Sequence, residues 1–323
     1  MQKKLPVYYP ENDLGICFTH TGFLLHPRFK EARERYWPQF IESFDKTPTV
    51  FVWQYAFLHD RSDFLPKLKL FNRIAPSVNI VICTNDAITF DYISSLGIYN
   101  ISCILCNHNA AVDRNELFII NREIQENNKI WDSVYTGTLR DIKRHFLTHD
   151  LKNVCYLTGG AKNGRGYQEI YDDLHQNQTN AFTLIHQCVS ADSMSFFYNM
   201  SKVGLCLSAA EGAMYSSIEY LLCGLPVVST RSIGGRDTFF TDKNCILAED
   251  NPESVKDCVD KWLKNYPNLQ ERYKIREDAI CLQKAHTKNL KNKIKEVAEK
   301  QNILIDVDTF YKSIYCNKLA VSV

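Results

Sequence analysis

Short apolar runs alternate with longer stretches of helical period along the chain. Residues 14–18, 49–57, 78–83 and 101–106 are short and rich in β-branched and aromatic residues, and they read as strands. The amphipathic stretches 27–44, 66–74 and 87–96 between them predict helices. The pattern then restarts. Residues 133–135, 153–157, 181–186, 203–208 and 226–229 read as strands. Residues 139–147, 166–177, 191–199, 216–222, 252–263 and the polar stretch 267–300 read as helices. Repeated strand–helix alternation implies parallel sheets covered on both faces. Two such blocks predict an α/β chain of two doubly wound, Rossmann-like domains facing a cleft, with ligands beyond the carboxyl ends of the strands. The polar stretch 113–131 marks the boundary, giving domains 1–125 and 126–300 and a tail 301–323 that packs back on the first domain.

Composition narrows the function classes. The chain has 323 residues, 45% of them hydrophobic, which suits two cores. Lys plus Arg is 38 and Asp plus Glu is 37, so the basic excess of a duplex-binding protein is missing and no nucleic-acid partner is expected. No apolar run reaches the roughly 18 residues of a membrane helix, and no apolar stretch follows the opening Met1-Gln-Lys-Lys-Leu-Pro, so no secretory signal is expected. The 12 cysteines lie singly, mostly inside apolar runs, as free thiols of a reducing compartment do. A cytoplasmic location follows. Cys103-x-x-Cys106 sits in a strand-like run without a second pair or histidines, and reads as core.

The segment 205–237 carries the strongest chemical signal. A strand leads through Ser208-Ala209-Ala210-Glu211-Gly212 into a helix bearing Glu219, eight positions after Glu211. On a helix that spacing spans roughly 12 Å, about the distance from sugar to ribose in a nucleotide sugar. The first amides of an α-helix find no acceptor within it, and with the helix dipole they favour an anion such as a diphosphate. Two glutamates so spaced also fit a helix-start carboxylate and a solvated helix residue. The flanking residues decide. The whole run reads Ser-x-x-Glu-Gly-x6-Glu-x4-Gly-x-Pro-Val-Val-x-Thr-x3-Gly-Gly-x-Asp, from Ser208 to Asp237.

This pattern resembles the donor-binding motif of retaining glycosyltransferases with the GT-B fold, in particular family 4 (group 1), over about residues 133–300. The resemblance implies a catalytic Glu211 near the donor sugar. It also implies Gly212, Ala213, Met214, Tyr215 and Ser216 around the phosphates, and Glu219 on the ribose. Family members carry Gly-Arg-Leu-x3-Lys-Gly at the start of the second domain. Here the run is Gly137-Thr138-Leu139-Arg140-Asp141-Ile142-Lys143-Arg144. It makes Lys143 a catalytic phosphate partner, with Thr138 in place of the arginine and Arg144 in place of the glycine, both beside the donor. A plain basic helix face formed with His145 is the alternative. Cys188 and Val189 fall where family members hold the base, and Asn107-His108-Asn109 resembles the segment closing the first domain. Gly22, just after the first strand, fits either a close approach to donor phosphate or an ordinary turn. His20 and His59 follow apolar strands and are candidates for acceptor or sugar contacts, or satisfied structural residues. Gly159-x4-Gly164-Arg165-Gly166 lacks the Lys-Ser/Thr of a phosphate loop, and no Gly-x-Gly-x-x-Gly follows the first strand, which speaks against a kinase and a dinucleotide dehydrogenase.

The activity so implied is retaining transfer of a sugar from a nucleoside-diphosphate sugar to a glycan or lipid-linked glycan, as in polysaccharide or lipopolysaccharide biosynthesis. Lys143 and the helix start would stabilise the leaving diphosphate. No Asp-x-Asp motif lies within the donor-site segments 137–144 and 205–237, so no metal and no cofactor is expected. The basic and aromatic stretch 27–37 fits a solvated helix, or a peripheral contact with the inner face of a membrane. Alternatives are a sugar-nucleotide epimerase of the same fold and a non-catalytic nucleotide-sugar-binding protein.

Overall fold

The computed structural model describes residues 7–8, 16–20, 50–55, 65, 68–69, 79–112, 114–115, 117–159, 167–177, 182–185 and 190–311. The chain divides into two compact units, one of Met1–Ala111 with Lys284–Ser322, the other of Val112–Gln283. The sequence boundaries at 125/126 and 300/301 thus differ from the observed divisions at 111/112 and 283/284. Nothing in the composition marks the second division, because it falls inside a continuous helix, Leu269–Lys300.

The first unit holds a sheet of β1 (Val7–Tyr8), β2 (Ile16–His20), β3 (Val50–Tyr55), β4 (Asn79–Thr84) and β5 (Ile101–Leu105), side by side in that order. β2 to β5 run parallel, with Phe51 opposite Ile80 and Cys83 opposite Ile104, and β1 is antiparallel to β2. Every residue of β3 and β4 is buried, which is why these strands read as unbroken apolar runs rather than alternating ones. Helix α1 (Ala87–Ser95) starts where the Asp86 carboxylate accepts from the Thr89 amide at 2.8 Å. Beyond the strand ends lies a buried polar layer: Asn85 Oδ1 accepts from the His108 amide at 2.7 Å, and the Asn107 side chain donates to the Asn85 carbonyl at 3.1 Å. The returning segment closes on this layer. The Asn107 amide donates to His286 Nδ1 at 3.4 Å, and the Tyr311 hydroxyl donates to the Ala110 carbonyl at 3.2 Å.

The second unit holds β6 (Trp131–Thr136), β7 (Val154–Leu157), β8 (Phe182–Ile185), β9 (Ser201–Cys206), β10 (Val227–Thr230) and β11 (Cys245–Ala248). All pairs are parallel and the order is β11-β10-β9-β6-β7-β8. The connecting helices are α2 (Tyr167–Asn177), α3 (Ala191–Asn199), α4 (Tyr215–Leu222) and α5 (Pro252–Lys264), followed by α6 (Leu269–Lys300). The chain winds outward from β6 in one direction and from β9 in the other. Such a reversal leaves an opening beyond the carboxyl ends of its two central strands, where ligands of doubly wound sheets bind.

Two expectations need correction. Residues 139–147 form no α-helix; they form two 3₁₀ turns, Asp141–Lys143 and His145–Thr148, separated by Arg144 at φ +54°. A left-handed residue ends any helix that reaches it. The sequence reading also lacked β1 and β11. β1 is two residues long, and β11 is a sheet edge with Leu247 exposed, so neither shows a long apolar run. The cysteines among the described residues are free, and burial pushes the Cys103, Cys155 and Cys223 thiols up to about 12, as core thiols require. Among the described residues no helix is long and apolar enough to cross a membrane.

Close packing at the reversal has a measurable consequence. A Cβ on Gly204 of β9 would clash with the Tyr220 ring of α4. Gly204→Ala is expected to cost about 1–3 kcal/mol by overpacking, read as a lower urea midpoint at unchanged slope; a wild-type midpoint would show that α4 is not seated so closely on the sheet.

Candidate active site

Two chain segments leave the sheet at the reversal and are stitched together. From β6 the chain runs through Gly137 and Thr138 into the two 3₁₀ turns; from β9 it runs through Leu207 to Glu211. The Ala209 amide donates to the Ile142 carbonyl at 2.9 Å and so joins them. Lys143 Nζ and Glu211 Oε1 then form a directly hydrogen-bonded ion pair, with the two side chains 16% and 18% exposed. The Tyr135 hydroxyl donates to the Lys143 carbonyl, and the lysine stem lies against Gly137, where a Cβ would stand 3.5 Å from Cδ. Glu211 is held from the other side: its amide donates to the Ile233 carbonyl at 2.9 Å, and the Ile233 amide donates to the Ala209 carbonyl at 2.9 Å.

Two arginines hold the strand ends beneath this pair. Arg236 is fully buried. It donates to the Ser208 carbonyl at 2.6 Å, to Ser229 Oγ at 2.7 Å, to the Thr230 carbonyl and to Asp237 Oδ1 at 2.7 Å. Burial works against its charge, and the Asp237 carboxylate outweighs burial, so its pKa is raised further. Arg144 donates to the Leu207 carbonyl at 2.6 Å, to Thr230 Oγ1 at 2.6 Å and to the Arg231 carbonyl at 3.2 Å, and pairs with Asp250 at 2.8 Å. Its guanidinium serves the protein itself, as a brace across the ends of β9 and β10.

Helix α4 starts beside these loops. Its N-cap is Met214, which offers no side-chain cap. Arg272 anchors the other end by donating to the carbonyls of Gly224 at 3.2 Å and Cys223 at 3.1 Å. Gly224 itself has φ +69°, the left-handed conformation that ends helices. Glu211 lies outside α4, four positions before its first residue, so the helical estimate of its distance to Glu219 does not apply. Glu219 is half-buried on α4 and accepts from the Tyr198 hydroxyl at 2.8 Å. Burial pushes its carboxyl up to about 7, against the Tyr198 hydrogen bond, which lowers it. Beneath Lys143, the His145 ring sits 4.9 Å from the Tyr135 ring and 6.2 Å from the Tyr156 ring. Burial and then the Lys143 cation push His145 down to about 3, so it is neutral.

The structure thus brings Lys143 and Glu211 into contact and sets Thr138 and Gly212–Met214 on the same strand-end segments, with Tyr215, Ser216 and Glu219 on the helix that follows. Gly22, His59, Cys188, Val189 and the His20 side chain lie outside the described residues. Sequence reasoning overlooked Arg236 and Tyr198. The Arg236-Asp237 neighbours after Gly234-Gly235 were a usable signal for the first; nothing local marks Tyr198. Among the described residues no group of three His, Cys, Asp or Glu side chains is placed to hold a metal ion.

Residues 141–279 match the family model described as glycosyl transferases group 1. This stretch resembles a group 1 glycosyltransferase domain. The matched stretch begins at the 3₁₀ turn of Lys143 and ends inside α6. Solved structures share the fold. Sucrose-phosphate synthase from Thermosynechococcus elongatus superposes with a TM-score of 0.58 at 12% identity, over 89% of this chain and 73% of that one. A glycosyltransferase from Rickettsia africae gives 0.57 at 14%, over 88% and 77%. The Anabaena protein HepE, solved with UDP-glucose, gives 0.53 at 14%, over 81% and 74%. No curated protein matches the chain.

The raised Glu219 carboxyl makes the stability of the second unit depend on pH. Between about 4.5 and about 7 the folded state holds a proton that the unfolded chain has released, so stability falls as pH rises through that window. Glu219→Gln removes this dependence. Melting temperatures taken across the window should decline for wild type relative to the variant; parallel curves would refute the burial of an ionisable Glu219.

Proposed function

We propose that the protein is a retaining transferase that moves a sugar from a nucleoside-diphosphate sugar to a glycan or lipid-linked glycan. The observation that carries this reading is the Lys143–Glu211 pair at the strand-order reversal, beside the start of α4, with Glu219 further along that helix. In this reading Lys143 and the helix start take the diphosphate, Glu211 the donor sugar and Glu219 the ribose hydroxyls. An arriving diphosphate competes with Glu211 for the lysine, and the carboxylate it releases is then free to accept from sugar hydroxyls. As the glycosidic bond breaks, the electron pair moves to the diphosphate oxygen. Lys143, as a point charge, and the α4 dipole stabilise that charge. The acceptor hydroxyl attacks on the face the diphosphate leaves and passes its proton to the departing phosphate, which retains the anomeric configuration.

The same proposal assigns the phosphate charge to these basic groups rather than to a metal or cofactor. It also places the reaction in the cytoplasm, with a lipid-linked acceptor reached at the membrane's inner face. Support for the donor class comes from the similar folds: HepE was solved with UDP-glucose and with UDP, and the pneumococcal O-GlcNAc transferase GtfA with UDP and GlcNAc. Uridine diphosphate is therefore the first nucleotide to try.

The test is a melting-temperature series with UDP, GDP and ADP at millimolar concentration. A nucleotide at a hundred times its Kd stabilises the fold by about 2.7 kcal/mol, and Lys143→Ala and Glu219→Ala should each abolish most of that rise. Glu211→Ala should keep nucleotide binding and lose turnover by on the order of a hundredfold. No rise with any diphosphate would overturn the proposed site, and binding without sugar transfer would leave a nucleotide-sugar-binding protein.

A further inference from the structure

The end of α3 makes a contact that packing does not require. Tyr198 is fully buried, with its ring 4.8 Å from Tyr220 in an edge-on contact and 6.1 Å from Phe118. A phenylalanine would fill the same space. The hydroxyl instead donates to Glu219 Oε2 at 2.8 Å. It also stands 3.3 Å from Thr136 Oγ1. Its one proton goes to the carboxylate, so Thr136 is the donor to Tyr198. The Thr136 amide in turn donates to the Tyr220 hydroxyl at 2.9 Å. Thr136 is the last residue of β6, and the chain leaves it directly for Gly137 and Lys143.

We propose that Tyr198 is a positioning residue for nucleotide recognition: it anchors one oxygen of Glu219, so that the carboxylate plane is fixed and the other oxygen is presented to the ribose hydroxyls. The inference rests on the donor site proposed above. The physical reason is geometric. An unanchored glutamate turns freely about its last torsion, and vicinal hydroxyls are held well only by a carboxylate of fixed plane. Anchoring through Thr136 ties that plane to the strand that also delivers Lys143, so the ribose and diphosphate contacts share one frame. A buried hydroxyl is costly unless bonded, and here both of its bonds run toward the site rather than into the core.

The experiment separates orientation from folding. Calorimetric titrations at pH 8 compare UDP, GDP and ADP on wild type, then the diphosphate that binds and its 2′,3′-dideoxy analogue on wild type, Tyr198→Phe and Thr136→Val. Wild type should lose about tenfold in affinity when the ribose hydroxyls are removed. Tyr198→Phe should lose about tenfold for the ribonucleotide while binding the dideoxy analogue as wild type does. Thr136→Val, which keeps the branched shape, should reproduce a few-fold part of that loss and supplies the answer if Tyr198→Phe does not fold. Equal losses on both ligands, or an unchanged ratio between them, would overturn the positioning role while leaving the donor site standing. Failure of wild type to bind any diphosphate would overturn the donor site, and this inference with it.

Discussion

A buried guanidinium gathers backbone carbonyls just past the carboxyl end of β9 and at that of β10. Arg236 reaches the carbonyls of Ser208 and Thr230 together with the Ser229 hydroxyl, and Asp237 keeps it charged. An arginine without solvent contact is unfavourable unless its donors are matched, and removing one partner of such a buried arrangement costs about 3–5 kcal/mol. The loop that carries Glu211 is therefore fixed at its root by electrostatics rather than by apolar contact. Everything above the root follows: the 2.9 Å bond from Ala209 to Ile142 brings the Lys143 turn into place, and the pair of Ile233 bonds fixes the backbone of Glu211. A site meant to meet a charged ligand gains from such rigidity, because its dipoles need no rearrangement as charge develops.

Arg144 shows the same economy at a strained position. A non-glycine residue at φ +54° bears a backbone penalty of about 1 kcal/mol or more. The compensation is visible in its side chain, which bonds Leu207, Thr230, Arg231 and Asp250 at once. The left-handed turn also aims successive residues apart: Lys143 faces Glu211, while Arg144 faces the sheet. A right-handed helix through 139–147 would have placed the two a hundred degrees apart on one cylinder and could not have served both.

How far the sequence was legible depended on the range of the forces involved. β3, β4, β9 and β10 were plain, because strands buried on both faces must be apolar throughout. The Glu211 and Glu219 positions were readable too, since glycine and proline at fixed offsets mark the turns around them. The Lys143 turn was misread as helix because its residues have helical propensity, and the left-handed Arg144 is imposed by tertiary bonds, which propensity does not contain. Arg236 and Tyr198 were missed for the same reason. Each acts on residues brought near only by the strand order, Arg236 on Ser208 and Tyr198 on Glu219.

The split membership of α6 bears on how the chain is made. Val112–Gln283 is contiguous, so every residue of the transferase-matched unit is available once that stretch has been synthesised. The unit that begins at Met1 draws on Lys284–Ser322 as well, including the His286 and Tyr311 bonds to Asn107 and Ala110. Chains usually fold from the amino terminus as they emerge. Here the order is inverted: the later unit can finish first, and the earlier one must wait for the stretch from Lys284 onward to arrive.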